Sequence, residues 1–492
     1  MMTFPCLDTG RLDAAAKELQ QVLAGRPLVT AGRFTTALRT CYTGPAALES
    51  LRPALSIGCY PAWTPARPGV VLAAEDRTRV RSTPERHGWL ARVRHDAARH
   101  LLALDQPPVI TAWHTTTHLR ELAGAHSTIT AIDGGLRDAI EAKHVFDDLL
   151  RAAGVPASVR IPCVHAERLP GLAELRGAVG TTTVVVQAGV TSPGPGTVIV
   201  AGEDDLPRAA RLLGPYRVAA FVDGWSSSVT VLSVPADNGV RVYVDRPSHT
   251  SAGVAELGIG PARSAGEDWS RPWPAGVSAL IIACAERIAD WAWRRYRIAG
   301  MFGLEAIVTP DERVYLNAIN WRAQDTTEVS AVNQQLRGLP PFILAHLAVM
   351  LGGQVTWLGD PDEFNQGTIA RSGRTGGPFS VKARLTHRAP SRIDPGHPPG
   401  IYRLDRDGRL RHVRPGAHPA EADSDRGEIL LADLPGPDVV CRPGAEIATI
   451  EGLTGGGHSP FDGPRSASGF TVRVHTALHR LFRPCSPAEE DH

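Results

Sequence analysis

The sequence lacks the features that mark several large classes of protein. Its 492 residues contain no apolar run near the roughly 18 residues that span a bilayer, and no basic stretch precedes an apolar core at the amino terminus. The seven cysteines are scattered and odd in number, with no Cys-x-x-Cys pair, which argues against a disulfide framework or a zinc site. We therefore expect a cytoplasmic protein with reduced thiols and no membrane partner.

An excess of charge of either sign is also missing. The 52 basic and 51 acidic residues leave a formal net charge of +1, so the sequence does not indicate nucleic acid as a partner. The hydrophobic fraction of 43% and the charged fraction of 21% are typical of a globular protein. The chain is too long for one ordinary hydrophobic core, which predicts two to four domains.

A β-hairpin is predicted between residues 301 and 322, where two apolar runs flank the turn sequence Thr-Pro-Asp-Glu-Arg. Glu305 lies on the first strand, Asn320 on the second, and Arg322 just beyond it. Carboxylate and amide oxygens are ligands that Mg²⁺ selects, usually beside substrate phosphates, and a guanidinium suits phosphoryl oxygens. The pattern indicates a metal and phosphate site, although a hairpin of this composition is often ordinary solvent-facing structure.

The first 140 residues or so alternate predicted helices and strands, which is typical of a parallel sheet covered by helices. Residues 108–113 predict a buried strand, and the polar residues 114–118 follow at the end where open α/β sheets bind ligands. We interpret these polar residues as a helix cap or a substrate contact. One helix is predicted from Leu136 to the turn at Gly154, with Lys143 on it.

Residues 181–200 predict a strand, a Gly/Pro/Ser loop and a second strand. The backbone N–H groups of such a loop can surround phosphate oxygens without obstruction by side chains. Residues 217–224 predict a further strand and a turn. The residues of interest are Gln187 before the loop, and Ser192, Gly194, Gly196 and Thr197 in or beside it.

The rest of the chain predicts an irregular segment, a long helix and a third region. Residues 245–269 are rich in Gly, Ser and Pro with little periodicity, which indicates either a functional loop or a surface loop. The apolar positions from Ala275 to Arg297 predict a helix that leads into the hairpin. From Thr356 onward the composition shifts to Arg, Pro, Gly and His with short predicted strands, and we expect a small β-rich domain there.

In their order along the chain, these features resemble the ATP-grasp superfamily of carboxylate–amine ligases. The resemblance covers roughly residues 40–355 and implies an α/β (α+β) ATP-grasp fold with a Rossmann-like parallel-sheet domain in front and a small β-rich domain behind. The implied domains are an α/β domain at 1–135, an ATP-grasp domain at 136–355 and a β-rich domain at 356–485, followed by a frayed tail at 486–492. The ATP-grasp domain would contain a nucleotide-binding lobe at about 136–224 and a metal or catalytic lobe at about 225–355.

The resemblance also implies a role for individual residues. Lys143, Gln187 and the loop would hold the ATP phosphates, residues 220–222 would bind adenine through their backbone, and Arg322 would stabilise the transferring phosphoryl group. Gln187 and Ala318 stand where the family has lysine and a metal-binding glutamate. The implied binding residues are Lys143, Gln187, Ser192, Gly194, Gly196, Thr197, Ala220, Phe221, Val222 and Ser226 for ATP, and Glu305 and Asn320 for Mg²⁺.

The pairing register of the hairpin decides which side chains accompany Glu305. If Val308 opposes Arg313, Glu305 shares a face with Ala318 and Asn320, whereas pairing of Val308 with Val314 places it with Asn317. Asp325 and Glu328, in the segment that follows, are candidates for a replacement carboxylate.

The function implied by the resemblance is an ATP-dependent ligase that joins a carboxylate to an amine through an acyl phosphate, with ATP and Mg²⁺ as cofactors. The expected partners are a small-molecule carboxylate and amine, without nucleic acid or membrane, and the sequence leaves the oligomeric state open. Two alternatives remain: a degenerate ATP-grasp protein that binds a nucleotide or a partner without catalysis, and an ATP-dependent phosphotransferase.

Overall fold

The computed structural model describes residues 9–34, 51–60, 70–73, 78–79, 89–113, 115–125, 127–189, 196–454 and 459–485. Within these residues the protein combines a five-stranded parallel sheet near the amino terminus with antiparallel sheets of four and of eleven strands, as the α/β (α+β) prediction requires. In the described part of the chain, no helix is both long and apolar enough to cross a membrane.

The leading sheet has five parallel strands in the order β3-β2-β1-β5-β6. Apolar side chains of its central strands, including Val29, Ile57 and Ile110, are fully buried against the flanking helices. The predicted alternation of helices and strands is therefore confirmed in this region. Its elements are β1 (Leu28–Phe34), β2 (Leu55–Tyr60), β3 (Val70–Ala73), β5 (Val109–Ala112), β6 (Thr128–Ile129), α1 (Thr9–Leu23), α2 (Trp89–Leu102) and α3 (Thr117–Ala123).

A second lobe is built on an antiparallel sheet in the order β7-β10-β8-β9. Its small core includes Val184, Val186 and Val218, which are fully buried. The elements of this lobe are α4 (Gly134–Glu141), a 3₁₀ turn (Lys143–Val145), α5 (Phe146–Ala152), β7 (Cys163–Ala166), α6 (Leu172–Val179), β8 (Val184–Ala188), β9 (Thr197–Val200), α7 (Leu206–Ala209) and β10 (Tyr216–Ala220).

The single helix predicted around Lys143 is wrong, because the chain leaves the helical conformation at Ala142, where ψ is 129°. The backbone N–H of Lys143 donates instead to the carbonyl of Gly189, at 2.8 Å, directly after β8. The apolar spacing was right for both α4 and α5, but a hydrogen bond to another strand replaces the helical one between them.

The largest sheet follows the order β16-β15-β11-β13-β14-β17-β23-β21-β19-β20, with β12 paired to β11. Because β14 pairs with β17, the sheet contains strands from both sides of the domain boundary predicted at residue 355. The boundary itself stays a prediction. The strands are β11 (Trp225–Ala236), β12 (Gly239–Val244), β13 (His249–Ala252), β14 (Ser264–Asp268), β15 (Gly300–Val308), β16 (Val314–Asn320), β17 (Gly377–Arg384), β19 (Gly400–Leu404), β20 (Leu410–Arg414), β21 (Glu428–Ala432) and β23 (Glu446–Thr454).

Helices cover this sheet, and the helix predicted from Ala275 is confirmed as α8. Its residues Ile281 and Ile288 pack against Phe302 and Leu304 of β15, which fixes one face of that strand in the core. The remaining elements are β4 (Thr78–Arg79), α8 (Ala275–Tyr296), α9 (Thr327–Gln335), α10 (Phe342–Met350), α11 (Pro361–Ser372), β18 (Ser391–Ile393), β22 (Val440–Cys441), β24 (Phe461–Gly463), β25 (Ser466–Ala467), α12 (Gly469–His479) and β26 (Phe482–Pro484).

Residues 245–269 contain more regular structure than the sequence predicts, because β13 and β14 pair within this segment. Polar side chains on these strands, among them His249, Thr250, Glu267 and Asp268, are buried. Both faces of the strands thus carry buried polar groups, and the alternation of apolar and polar residues that identifies a strand is absent.

Candidate active site

A β-bulge sets the register of the predicted hairpin. Val308 pairs with Val314 at the turn, but Glu305 pairs with Ala318, so Asn317 is the extra residue. The bulge keeps Leu316 and Ile319 in the core on the side of α8. Neither predicted register describes the whole hairpin. The turn has the pairing of Val308 with Val314, whereas beyond the bulge Glu305 lies on the same face as Ala318 and Asn320, as the other register predicts.

Glu305, Asn320 and Arg322 meet on this face of the hairpin. The Nδ2 of Asn320 donates to the Oε1 of Glu305 at 2.8 Å, and the Nη2 of Arg322 donates to the Oδ1 of Asn320 at 3.2 Å. The Glu305 side chain is half-buried. The structure therefore brings together the three residues that the sequence singled out in this hairpin.

A directional chain of amides holds Asn320. The carbonyl of Val229 can only accept, so it takes a hydrogen bond from the Nε2 of Gln324 at 3.2 Å and leaves the Oε1 of Gln324 to accept from Asn320 at 3.1 Å. Gly303 makes room for this chain, because a Cβ there would lie 1.9 Å from the Oε1 of Gln324. Asn320 consequently faces Glu305 with its donor group and Arg322 with its acceptor.

Two groups from the second lobe lie against the hairpin. The Oε2 of Glu141 lies 3.6 Å from the Nε of Arg322, and its Oε1 accepts from the backbone N–H of Trp321 at 2.5 Å. Burial lowers the pKa of Lys143, and the nearby carboxylate of Glu305 opposes that shift. Lys143 is therefore close enough to Glu305 for the two charges to interact, although one belongs to each lobe.

The predicted phosphate-binding lobe contains a buried polar cluster. The guanidinium of Arg217, 1% exposed, donates to both oxygens of Asp147 at 2.8 and 3.1 Å and to the Oε1 of Gln187 at 2.9 Å. Gln187 pairs with Thr197 across the loop, and the N–H of Ala188 donates to the carbonyl of Gly196 at 2.9 Å. Ser192 and Gly194 lie outside the described residues, so their predicted contact with phosphate stays a prediction.

The segment predicted to hold adenine lies at the end of β10. Ala220, Phe221 and Val222 are half-buried, and the N–H of Phe221 donates to the carbonyl of Thr183 at 3.1 Å. The guanidinium of Arg465 lies 5.0 Å from the centre of the Phe221 ring.

Ser226 is half-buried on β11, where it pairs with Ile307 and Thr250 in the large sheet. The predicted binding of adenine by residues 220–222 and of ribose by Ser226 stays a prediction.

Comparison of the sequence with family models and with curated proteins gives no match. Solved structures do match: an L-amino acid ligase from Bacillus licheniformis is 10% identical, with 94% of this chain and 98% of that chain covered and a TM-score of 0.50. The chain has the ATP-grasp fold.

Other ATP-grasp structures give similar values. An N5-carboxyaminoimidazole synthase from Aspergillus clavatus, in complex with ADP and 5-aminoimidazole ribonucleotide, is 14% identical with 92% and 98% covered and a TM-score of 0.49. The N5-carboxyaminoimidazole ribonucleotide synthetase from Thermotoga maritima is 13% identical with 94% and 99% covered and a TM-score of 0.49. At these identities the comparisons leave the substrates of this chain open.

Beside the hairpin, the ATP-grasp fold also brings together charged groups that the sequence did not identify as a cluster. Glu267 is 2% exposed, and burial raises its pKa to about 7, although the charge of Lys382 opposes the shift. Its Oε1 accepts from the hydroxyl of Ser264 at 3.0 Å. Lys382 donates to Asp325, one of the two residues considered as a replacement carboxylate.

The buried ion pair of Arg217 was not predicted, although the sequence contains a sign of it. Arg217 opens an otherwise apolar strand, Val-Ala-Ala-Phe, and a charged residue at such a position needs a buried partner. That partner is Asp147, 70 residues earlier in the chain, and nothing local in the sequence relates the two. The amide chain through Gln324 is equally nonlocal.

Proposed function

We propose that this protein is an ATP-dependent ligase that phosphorylates a carboxylate and joins it to an amine. The observation that carries the proposal is the joined set of Glu305, Asn320 and Arg322 on one face of the hairpin. Lys143 lies within electrostatic reach of the set. A transferring phosphoryl group carries negative charge, so it is stabilised by a metal ion and by cationic side chains. Glu305 can bind the metal ion, and Arg322 and Lys143 are the cationic side chains.

The residues present fit one Mg²⁺ held mainly by Glu305 and the ATP phosphates. Mg²⁺ is commonly bound through one or two carboxylates with substrate phosphates and water, and Ala318 offers no second carboxylate opposite Glu305. For Asn320 to act as a ligand, its amide would have to turn its Oδ1 toward Glu305, and Gln324 would have to turn with it. When bound, the ion would neutralise phosphate charge during transfer.

Arg322 would stabilise the phosphoryl group and the acyl phosphate. Its Nη2 and Nη1 are held by Asn320 and by the carbonyl of Ala323, at 3.2 and 3.1 Å, and Glu141 lies beside its Nε. These contacts preorganise the guanidinium, so little reorganisation is needed when negative charge develops on the substrate.

Glu267 would assist the amine. A carboxyl group with a pKa of about 7 can exchange a proton with an attacking amine near neutral pH. Its Oε2 is buried and makes no hydrogen bond within the described part of the chain. Lys382 and Asp325 lie near enough to affect its charge.

Release of ADP and phosphate from Mg²⁺-ATP, measured against a panel of amino acids and other carboxylic acids with and without amines, tests the proposal. A ligase releases both products only when a carboxylate and an amine are present together. A phosphotransferase releases ADP, forms a phosphorylated product and does not need the amine.

A nucleotide-binding protein without catalysis is a second candidate, and Ala318 favours it. This residue lies directly opposite Glu305, 2% exposed, where a second carboxylate would be closest to a shared ion. ATP binding without ADP formation against the whole panel would support this candidate. Gain of ADP formation in the variant Ala318→Glu, with wild type inactive, would identify the missing carboxylate as the cause.

A further inference from the structure

The buried cluster in the second lobe contains charges that the proposed chemistry does not use. Arg217, on β10, contacts Asp147 with two nitrogens and Gln187 with a third. All three side chains are buried, at 1%, 5% and 6% exposure. Buried charges of this kind are costly, so a cluster that also ends on a neutral amide needs an explanation beyond stability.

The cluster fixes the orientation of the Gln187 amide. A guanidinium can only donate hydrogen bonds, so the atom of Gln187 that faces Arg217 must be the oxygen, and the Nε2 must point elsewhere. Among the described residues, Nε2 has no hydrogen-bond partner, whereas Oε1 accepts from Arg217 at 2.9 Å. The two N–H groups of Gln187 are thus left available to a ligand.

Gln187 lies where such a donor could reach a phosphate. It pairs with Thr197, which follows the predicted Gly/Pro/Ser loop in the sequence, and two residues later the carbonyl of Gly189 accepts from the backbone of Lys143. Lys143 in turn lies within electrostatic reach of both Arg217 and Glu305. Gln187 therefore lies near the end of β8, two residues from the backbone contact with Lys143.

We propose that Arg217 is a positioning residue, fixed by Asp147, that turns the Gln187 amide so that its Nε2 donates to a phosphate of the bound nucleotide. This rests on the proposed function, because it assumes that the ligand is ATP. Since Asp147 neutralises Arg217, the guanidinium adds little net charge to the site and acts through the direction of the amide.

A metal site on the same residues explains the cluster less well. The ligand atoms of Asp147, Cys163 and His165 all lie within 4.8 Å of one another. However, Arg217 already occupies both oxygens of Asp147 and would place a positive charge beside a metal ion. Burial and the nearby Asp147 also raise the pKa of Cys163 to about 11, which disfavours the thiolate that binds metals.

Titration of ATP and of adenosine into full-length variants tests the proposal, because only ATP carries phosphates. Gln187→Glu keeps the acceptor for Arg217 and replaces the free donor by an oxygen. The double variant Asp147→Leu/Arg217→Met removes the ion pair without leaving a buried charge and frees the amide to rotate. Arg176→Lys is the matched control, because among the described residues Arg176 donates only to the carbonyls of Thr182 and Ala201 in the same lobe.

We expect ATP to bind about tenfold more weakly to Gln187→Glu and about fivefold more weakly to the double variant, with adenosine affinity unchanged in both. The control should bind both ligands as wild type does. Wild-type ATP affinity in either variant, or equal losses for ATP and adenosine, would overturn the positioning role. Failure of wild type itself to bind ATP would instead overturn the proposed function, and the positioning role with it.

Discussion

The hairpin and the buried cluster of the second lobe use charge in opposite ways. In the hairpin, neutral amides of Gln324 and Asn320 hold one carboxylate, Glu305, that faces the site. In the second lobe, a charged pair of Asp147 and Arg217 holds one neutral amide, Gln187. The charge thus lies on the group proposed to hold the metal ion in the first case, and on the groups that support the proposed phosphate donor in the second.

The difference predicts where each region is vulnerable. Loss of the half-buried Glu305 leaves Lys143 with a second carboxylate, Glu141, nearby, so it should abolish chemistry and largely spare folding. Loss of one member of the Asp147–Arg217 pair leaves a buried charge without its partner, so it should mainly lower the free energy of unfolding. Four measurements test this difference between the two regions.

Glu305→Gln should have the largest effect, a loss of turnover of about 10⁴-fold, equivalent to about 5 kcal/mol, because the one carboxylate proposed to hold Mg²⁺ is removed. ADP formation under saturating ATP measures it, and the free energy of unfolding should change by less than about 1 kcal/mol. Arg313→Ala is the control, because that exposed residue contacts Asp311 and Tyr315 in the same hairpin. Turnover within tenfold of wild type would remove Glu305 from the mechanism.

Asp147→Ala should lower the free energy of unfolding by about 4 kcal/mol, because Arg217 keeps its charge in a buried site and loses its partner. Chemical denaturation measures this loss. The double variant Asp147→Leu/Arg217→Met should recover most of it. A loss below about 1 kcal/mol would show that the pair is not the support that the comparison requires.

Glu267 should make stability depend on pH. Its folded pKa, about 7, is above the ordinary 4.5, so the folded state binds the proton more tightly than the unfolded state. The contribution is complete below about pH 4.5 and is lost as pH rises through 7, a change on the order of 3 kcal/mol. Denaturation at pH 5 and pH 8 should show the loss in wild type and not in Glu267→Gln. Equal pH dependence in both proteins would contradict the assignment.

Gln324→Met should have the smallest effect on turnover, a loss of about tenfold or about 1.4 kcal/mol, because Asn320 loses one of the contacts that fix its amide. The measurement is kcat with the KM for ATP, and we expect kcat to fall while KM stays unchanged. A change in stability with no change in kcat would mean that the amide chain only supports the fold.

Much of the hairpin was predictable because its information is local. The two apolar runs, the turn between them and the spacing of Glu305, Asn320 and Arg322 all lie within 22 residues. The bulge at Asn317 was not predictable, since it depends on keeping both Leu316 and Ile319 packed against α8. Tertiary packing, not pairing preference, decides the register here.

The second lobe shows the opposite balance. Apolar spacing predicted its helices and strands, but the break at Ala142 depends on a hydrogen bond to Gly189, 46 residues after Lys143. The cluster of Asp147, Gln187 and Arg217 is likewise assembled from three distant segments. Local sequence patterns identify helices and strands, whereas contacts between these elements bring together the polar side chains that support the candidate site.

Binding of ATP to wild type and to Glu305→Gln, measured by calorimetry with and without Mg²⁺, tests whether the hairpin holds a metal–nucleotide complex. If Glu305 holds the metal ion of an ATP site, Mg²⁺ should tighten ATP binding to wild type by about tenfold or more, and should have no such effect on the variant. Equal response to Mg²⁺ in both proteins would show that this hairpin does not hold the metal–nucleotide complex.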